Sequence, residues 1–466
     1  MMGANSLIGN LEWEKFYSLD GRPFYYFPRS MTIVEYDENF GRILTDLASG
    51  NGKPQGYPDG YVDEVLQNME VLEKRGLLER LIPSPLPDTV PVGRIILANT
   101  MRCNLACTYC YNNFDFNLYS PEEKDMSMAT FLRLVDFFER SGKETPSYEL
   151  YFIGGEPLIK PEILEAGGKW GERLRKRGKS LSMAVTTNAT LLRREIIDLC
   201  TRYKIGLKLT LDGDRDEHDC NRLFPDGTGS FERILKNLPD FFSRYDNPYK
   251  YVATTIDTLK SDLEGRIVRL TAMGFNVIDL TELYDAKGAK ETDSEAKLTE
   301  MYRGKYRGAF EFLYLKARSR AYLRIIPLSD IVRNIHARKP SFSRCRAGID
   351  SLAVSPEGAV YACHHFYGDK RFLLGMIEDS AIEGDKLAPY RVPVENRPEC
   401  SSCWARLLCG GPCYHRSLAA SGEAFGCNRM ECIRRKAMII EAMRFYIKLR
   451  NEDEDSLRWL VNSAPG

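Results

Sequence analysis

Residues 103–110 read Cys103-Asn104-Leu105-Ala106-Cys107-Thr108-Tyr109-Cys110, three thiols in a C-x3-C-x2-C loop. The loop follows an apolar run at 93–99 that reads as a strand. Three thiolates on one short loop can hold three irons of a [4Fe–4S] cube, which leaves the fourth iron open to a substrate or cofactor. Structural zinc is the plainer alternative, but it usually wants four protein ligands.

Outward from this loop, strand-like runs near 148–153, 181–187, 205–211, 251–257 and 276–283 alternate with amphipathic stretches such as 131–139 and 191–203. With 93–99 they make six strands, which predicts a parallel α/β sheet curved into a partial (β/α)6 barrel over residues 91–338. Chemistry in such folds sits at the C-terminal ends of strands. Before this unit, Phe24-Tyr25-Tyr26-Phe27 and Thr32-Ile33-Val34-Glu35-Tyr36 flank a Pro28-Arg29-Ser30 turn, a hairpin pattern. Helical spacing at 39–48 and 62–78 completes an N-terminal winged-helix-like domain, residues 1–90, which ends in a Pro-rich linker at 82–88. Residues 339–466 are rich in Cys, Gly and Pro, with little regular pattern before a closing helix near 433–449; this predicts a C-terminal domain organised by metal.

The 466 residues carry 65 Lys plus Arg against 65 Asp plus Glu, so bulk charge draws the chain toward neither nucleic acid nor anionic membrane. No apolar run is long enough to span a bilayer, and Met1 to Asn5 lacks the order of a secretion signal. A cytosolic location is therefore expected, where thiols stay reduced and thirteen cysteines argue for metal rather than disulfides. Cys200 lies on the apolar face of a predicted helix and reads as core; Cys220 reads as a bystander.

The cysteine loop and the strand ends together resemble the radical SAM superfamily over about residues 92–335. The resemblance implies that the open iron binds S-adenosylmethionine (SAM) and that electron transfer yields a 5′-deoxyadenosyl radical that takes a hydrogen from the substrate. Gly154-Gly155-Glu156-Pro157 ends the second strand, and Glu156 would accept hydrogen bonds from the SAM ammonium. Thr186-Thr187-Asn188 and Thr210-Leu211-Asp212-Gly213 end the third and fourth, followed by His218-Asp219 and Arg222. By resemblance Thr187, Asn188, Thr210 and Asp212 face the cofactor, Arg222 pairs with its carboxylate and Tyr109 packs beside the adenine.

Cys345-x12-Gly358-x4-Cys363, then Cys400-x2-Cys403-x5-Cys409-x3-Cys413 and Cys427, resembles the SPASM domain of radical SAM enzymes that modify peptides. Zinc is the alternative for the 400–413 block alone. The resemblance implies two auxiliary [4Fe–4S] clusters, three clusters in all. Cys345, Cys363 and Cys413 would share the first; Cys400, Cys403, Cys409 and Cys427 the second. Two complete clusters need eight protein ligands, and this pattern has seven, so one iron of the first would be open. Cys432 has three open roles: to close that iron, to replace Cys427, or to pack as a small hydrophobe.

Sulfatase maturases of the same superfamily share the His218-Asp219…Arg222 arrangement, but carry an Asp after the second SPASM cysteine, where this chain has His364, and an extra cysteine absent from 346–351. Both departures argue against formylglycine formation. The N-terminal unit resembles the leader-peptide recognition element of peptide maturases, which adds a leader as an extra strand. A DNA-binding winged helix is the alternative, weakened by neutral charge. The resemblance thus implies a maturase that installs thioether crosslinks in a ribosomally synthesised precursor peptide, with a reductant such as flavodoxin or ferredoxin as partner and neither nucleic acid nor membrane. Carbon–carbon crosslinking and epimerisation are the alternatives.

Overall fold

A computed structural model describes residues 11–49, 54–86, 92–110, 125–142, 145–283, 293–379, 382 and 384–464. All six expected strands are present. They are β4 (Arg94–Ala98), β5 (Ser147–Ile153), β6 (Ser180–Thr187), β7 (Ile205–Thr210), β8 (Tyr251–Ile256) and β9 (Val277–Glu282). They pair in parallel in that order. Helices such as Met128–Ser141, capped by the Ser127 side chain, and Arg194–Tyr203 carry the chain between them. Cys200 is fully buried on the second of these helices, as its position on the apolar face predicted.

The sheet is larger than expected. β10 (Arg324–Ile326) extends it parallel beyond β9. On the other side β11 (Ser351–Val354) pairs in parallel with β4, and β12 (Ala359–Tyr361) and β13 (Leu373–Met376) follow antiparallel. The result is an open, mostly parallel sheet of ten strands to which the Cys-rich region contributes three. Those strands have three or four residues each, too few to register as a period, so the sequence showed only irregular chain there. The closing helix runs Arg429–Glu452 and is followed by Glu454–Asn462. Among the described residues no helix is long and apolar enough to cross a membrane.

The N-terminal unit is a three-stranded antiparallel sheet, β1 (Glu14–Tyr17), β2 (Pro23–Phe27) and β3 (Thr32–Glu35), with helices Asn39–Ala48 and Tyr61–Lys74. The β2–β3 hairpin is the predicted one; β1, four mostly exposed residues with Phe16 and Tyr17 side by side and no alternation, is too short to register and was missed. The second helix stops four residues before the predicted end. Gly76 takes φ +67°, its N–H reaches Glu73 O and the Leu77 N–H reaches Leu72 O, a Schellman cap that only glycine enters freely. Four consecutive buried aromatics in β2 follow from its two faces. Tyr25 and Phe27 join a local core with Phe40, Ile43, Val65 and Met69, whereas Phe24 and Tyr26 belong to the main core. On that second side Trp404 lies edge-on to Phe16, and Arg406 pairs with Glu12 at 2.5 Å.

Candidate active site

The cysteine loop 103–110 is fixed on three sides. Toward β5, the Gly155 N–H donates to Thr100 O at 3.0 Å and the Glu156 N–H to Arg102 O at 2.8 Å. A Cβ on Gly155 would stand 2.1 Å from Arg102 O, so only glycine allows this approach. Toward β6, Asn188 Nδ2 donates to Asn104 Oδ1 at 2.9 Å, and Asn104 Nδ2 to Thr190 Oγ1 at 2.8 Å. Beyond β7, the N–H groups of Ala106 and Thr108 donate to Leu223 O and Asn221 O at 2.7 and 2.9 Å. Asn104 and Thr190 escaped the sequence reading; Asn104, next to the first cysteine, was the signal available.

Glu156, 1% exposed, stands at the end of β5. Its carboxylate accepts from the Leu158 N–H at 3.0 Å, Thr187 Oγ1 at 2.8 Å and the Asn188 N–H at 2.7 Å. Burial pushes its pKa up to about 7 against these donors. Thus Glu156, Thr187 and Asn188 form one connected group, with Asn188 Nδ2 3.8 Å from Cys103 Sγ.

Tyr109, Thr210, Asp212 and Arg222 form a second group. Arg222 Nε lies 2.7 Å from Asp212 Oδ2, its Nη1 donates to Thr210 Oγ1 at 3.1 Å, and its guanidinium sits 5.3 Å from the Tyr109 ring centre. The Tyr109 hydroxyl donates to Asp212. Burial drives the Asp212 carboxyl upward, but Arg222, Tyr109 and the Thr255 N–H outweigh it, and the net shift is down. The His218-Asp219…Arg222 string resolves into three tasks. His218 Nδ1 accepts from the Asp212 N–H at 3.2 Å, and its Nε2 lies 2.9 Å from Ser230 Oγ. Because Ser230 Oγ donates to Arg222 O, His218 carries its proton on Nε2. Asp219 accepts from the Phe231 N–H at the start of helix Phe231–Arg244. Cys220 is exposed.

The C-terminal cysteines separate into two groups. Cys345 and Cys363 both interact with Cys413. Cys400, Cys403, Cys409, Cys427 and Cys432 instead line one cavity of about 400 Å³, with Cys400 and Cys427 Sγ 3.8 Å apart. Cys432 therefore stands with the second group. Among the described residues, no three His, Cys, Asp or Glu side chains close on one point as ligands of a single metal ion would. His365 stacks on His415 (ring centres 4.5 Å) and His364 lies tilted against His365 (4.2 Å), a half-buried row next to Cys363 and Cys413 in the chain.

With this geometry in view, residues 100–265 match the radical SAM superfamily. The chain carries a radical SAM domain. A serine-type anaerobic sulfatase-maturating enzyme of Klebsiella aerogenes is 22% identical over 376 residues, 76% of this chain and 88% of the relative. The antilisterial bacteriocin subtilosin biosynthesis protein AlbA of Bacillus subtilis (strain 168) is 23% identical over 342 residues, 71% of this chain and 68% of AlbA. Among solved structures, anSMEcpe with bound AdoMet has a TM-score of 0.63 at 18% identity, covering 77% of this chain and 98% of that one. Streptococcus suis SuiB bound to precursor peptide SuiA has a TM-score of 0.50 at 15% identity, covering 88% and 96%. The likeness gives the fold around the radical SAM domain, an α/β fold with a mostly parallel open sheet.

The residues present fit the iron–sulfur cluster that a radical SAM domain implies. Cys103, Cys107 and Cys110 stand on one short loop, and thiolates so placed are held by a bound cation. Two donors already face Cys103 Sγ, the Leu105 N–H at 3.4 Å and Asn188 Nδ2 at 3.8 Å.

Proposed function

We propose that this chain is a radical SAM maturase that installs thioether crosslinks in a ribosomally synthesised precursor peptide. The observation that carries this reading is the division of the C-terminal cysteines into three and five. With Cys432 in the second cavity, Cys345, Cys363 and Cys413 are left as three thiols for a four-iron site. That arrangement leaves a coordination position for a substrate thiolate.

Cys103, Cys107 and Cys110 would hold the radical SAM cluster, which with SAM supplies a hydrogen-abstracting radical. This chain's part is to bind and orient. Glu156, Thr187 and Asn188 present a buried carboxylate and hydroxyl for the ammonium and ribose of SAM. Thr210, Asp212, Arg222 and Tyr109 offer a guanidinium and an aromatic face on the other side. Cys345, Cys363 and Cys413 would hold one auxiliary cluster and the second cavity the other. The β1–β2–β3 sheet, whose outer strands pair only with β2 among the described residues, would take a leader strand by β-augmentation. A low-potential electron donor of the flavodoxin or ferredoxin class would reduce the radical SAM site.

Sulfatase-type formylglycine formation stands as a second reading, favoured by the similarity to the Klebsiella aerogenes enzyme. Anaerobic incubation with SAM, reductant and a Cys-containing precursor, followed by mass analysis and thiol alkylation, separates the two. A thioether costs the peptide two hydrogens and one alkylatable thiol. Formylglycine from Cys loses the sulfur and gives an aldehyde trapped by hydrazide. Loss of two hydrogens with every thiol still alkylatable would replace thioether formation by a carbon–carbon link.

A further inference from the structure

The two C-terminal cysteine groups lie in an environment of unusual charge. Five guanidinium groups face them: Arg344, Arg397, Arg406, Arg416 and Arg435. The carboxylate set among them is Glu431, 5% exposed, ion-paired to Arg344 at 2.8 Å and accepting from the Cys413 N–H at 3.4 Å. Glu12 answers Arg406 from the N-terminal unit, and Glu399 and Lys436 add one charge of each sign to the cavity wall. Buried guanidinium is costly without an anion beside it. Here Arg344 Nη1 and Arg435 Nε are buried with no hydrogen-bond acceptor among the described residues. The surplus is positive, and the groups it surrounds are thiols.

The arginines do not all serve the same group. Arg435 donates to Cys409 O at 3.2 Å and faces the second group. Arg416 faces Cys413 of the first. Arg344 and Arg397 stand between the two. Arg344 adjoins Cys345 in the chain and pairs with Glu431, which accepts from the Cys413 N–H, while its side chain also lines the cavity of the second group. Arg397 donates to Tyr414 Oη, next to Cys413 of the first group, at 2.6 Å, and its carbonyl accepts from the N–H of Cys400 of the second at 3.0 Å.

We propose that Arg344 and Arg397 are a shared cationic bridge that raises the reduction potentials of both auxiliary iron–sulfur sites together, while Arg435 raises that of the second alone. The inference rests on the proposed auxiliary clusters. A positive charge close to a cluster stabilises the more negative, reduced form, and burial protects the interaction from salt. The chemistry gives such tuning a use. Each thioether link removes a hydrogen atom from carbon and a proton from the thiol. One electron is left over, and a site of raised potential accepts it.

The test is a potentiometric titration with dithionite, followed by electron paramagnetic resonance, on anaerobically reconstituted full-length protein. The background is Cys103→Ala/Cys107→Ala/Cys110→Ala, so that only auxiliary signals remain, assigned by adding Cys363→Ala or Cys403→Ala. Iron and sulfide are counted in every sample. Arg344→Gln and, independently, Arg397→Gln are expected to lower both potentials, Arg344→Lys to restore them, and Arg435→Gln to lower only the signal lost with Cys403→Ala. Unchanged potentials, or a shift confined to one signal in both bridge variants, would overturn the proposal with the clusters intact. A background protein with no auxiliary iron overturns the cluster reading itself, and the bridge with it.

Discussion

Arg222 and Asp212 form an ion pair at 2.7 Å with only 8% and 2% of their surfaces exposed. Removing one partner leaves the other charged and buried, which costs about 3–5 kcal/mol. Asp212→Asn and Arg222→Met are each expected to destabilise the chain by that order in urea unfolding. The double variant should cost clearly less than the sum, because neither charge is then stranded.

Gly155→Ala drives a methyl group into the Arg102 carbonyl, the same oxygen that accepts from the Glu156 N–H. The cysteine loop has to move off β5. The expected outcome is loss of the iron proposed for residues 103–110 with that proposed for the C-terminal cysteines unchanged, read by iron counts against the Cys103→Ala/Cys107→Ala/Cys110→Ala variant. Gly304→Ala is the contrasting case. It lies inside helix Glu295–Arg318 with nothing within 4 Å of the added carbon, so stability should rise by about 1 kcal/mol.

Burial lowers the His218 pKa from 6.5 to about 4, so the folded chain holds it neutral where the unfolded chain takes up a proton. Its contribution is fully present above pH 6.5 and is lost as the pH falls from 6.5 to about 4. The loss amounts to about 3 kcal/mol. His218→Asn should flatten this part of the stability profile; urea midpoints at pH 7 and pH 4.5 in both proteins measure it. A variant as acid-sensitive as the parent would show that His218 does not carry the effect.

Leader binding at the edge of β3 is best tested by proline rather than by deletion. Removing residues 11–86 would take away any leader site and at the same time bare the part of the main core that Phe24 and Tyr26 cover. Ile33 and Val34 are adjacent, and along an edge strand one of two adjacent N–H groups points outward. Proline at that position is expected to weaken precursor binding at least tenfold by fluorescence anisotropy, with SAM cleavage in the absence of peptide unchanged. Equal affinity in both proline variants would remove β3 from leader recognition.

The central sheet was legible because β4 to β9 are each five to eight residues of apolar or alternating sequence, and β4 to β7 each lead into a motif. The strand ends were legible for the same reason, since Glu156, Asn188 and Asp212 terminate strong patterns. What stayed hidden depends on distance in space. β11 finds β4 across more than 250 residues, through four residues that look like loop. Arg344, Arg397 and Arg435 carry no mark in the sequence, because composition cannot tell a solvated guanidinium from a buried one. The partners of Arg222 were equally out of view: a lone arginine after a strand end suggests a ligand contact, and only the fold brings Asp212 Oδ2 to it.

The pairing of Glu12 with Arg406 also orders events during synthesis. Residues 11–86 leave the ribosome first, yet the surfaces that cover Phe16 and answer Glu12, Trp404 and Arg406, come nearly four hundred residues later. At a typical pace of roughly 5–20 residues per second, the aromatic back of β2 waits tens of seconds for its partner. Trp404 and Arg406 lie between Cys403 and Cys409, two of the proposed cluster ligands. If those thiols hold the iron proposed for them, iron delivered late would leave the N-terminal sheet undocked, with Phe24 and Tyr26 presented to chaperones and to neighbouring chains.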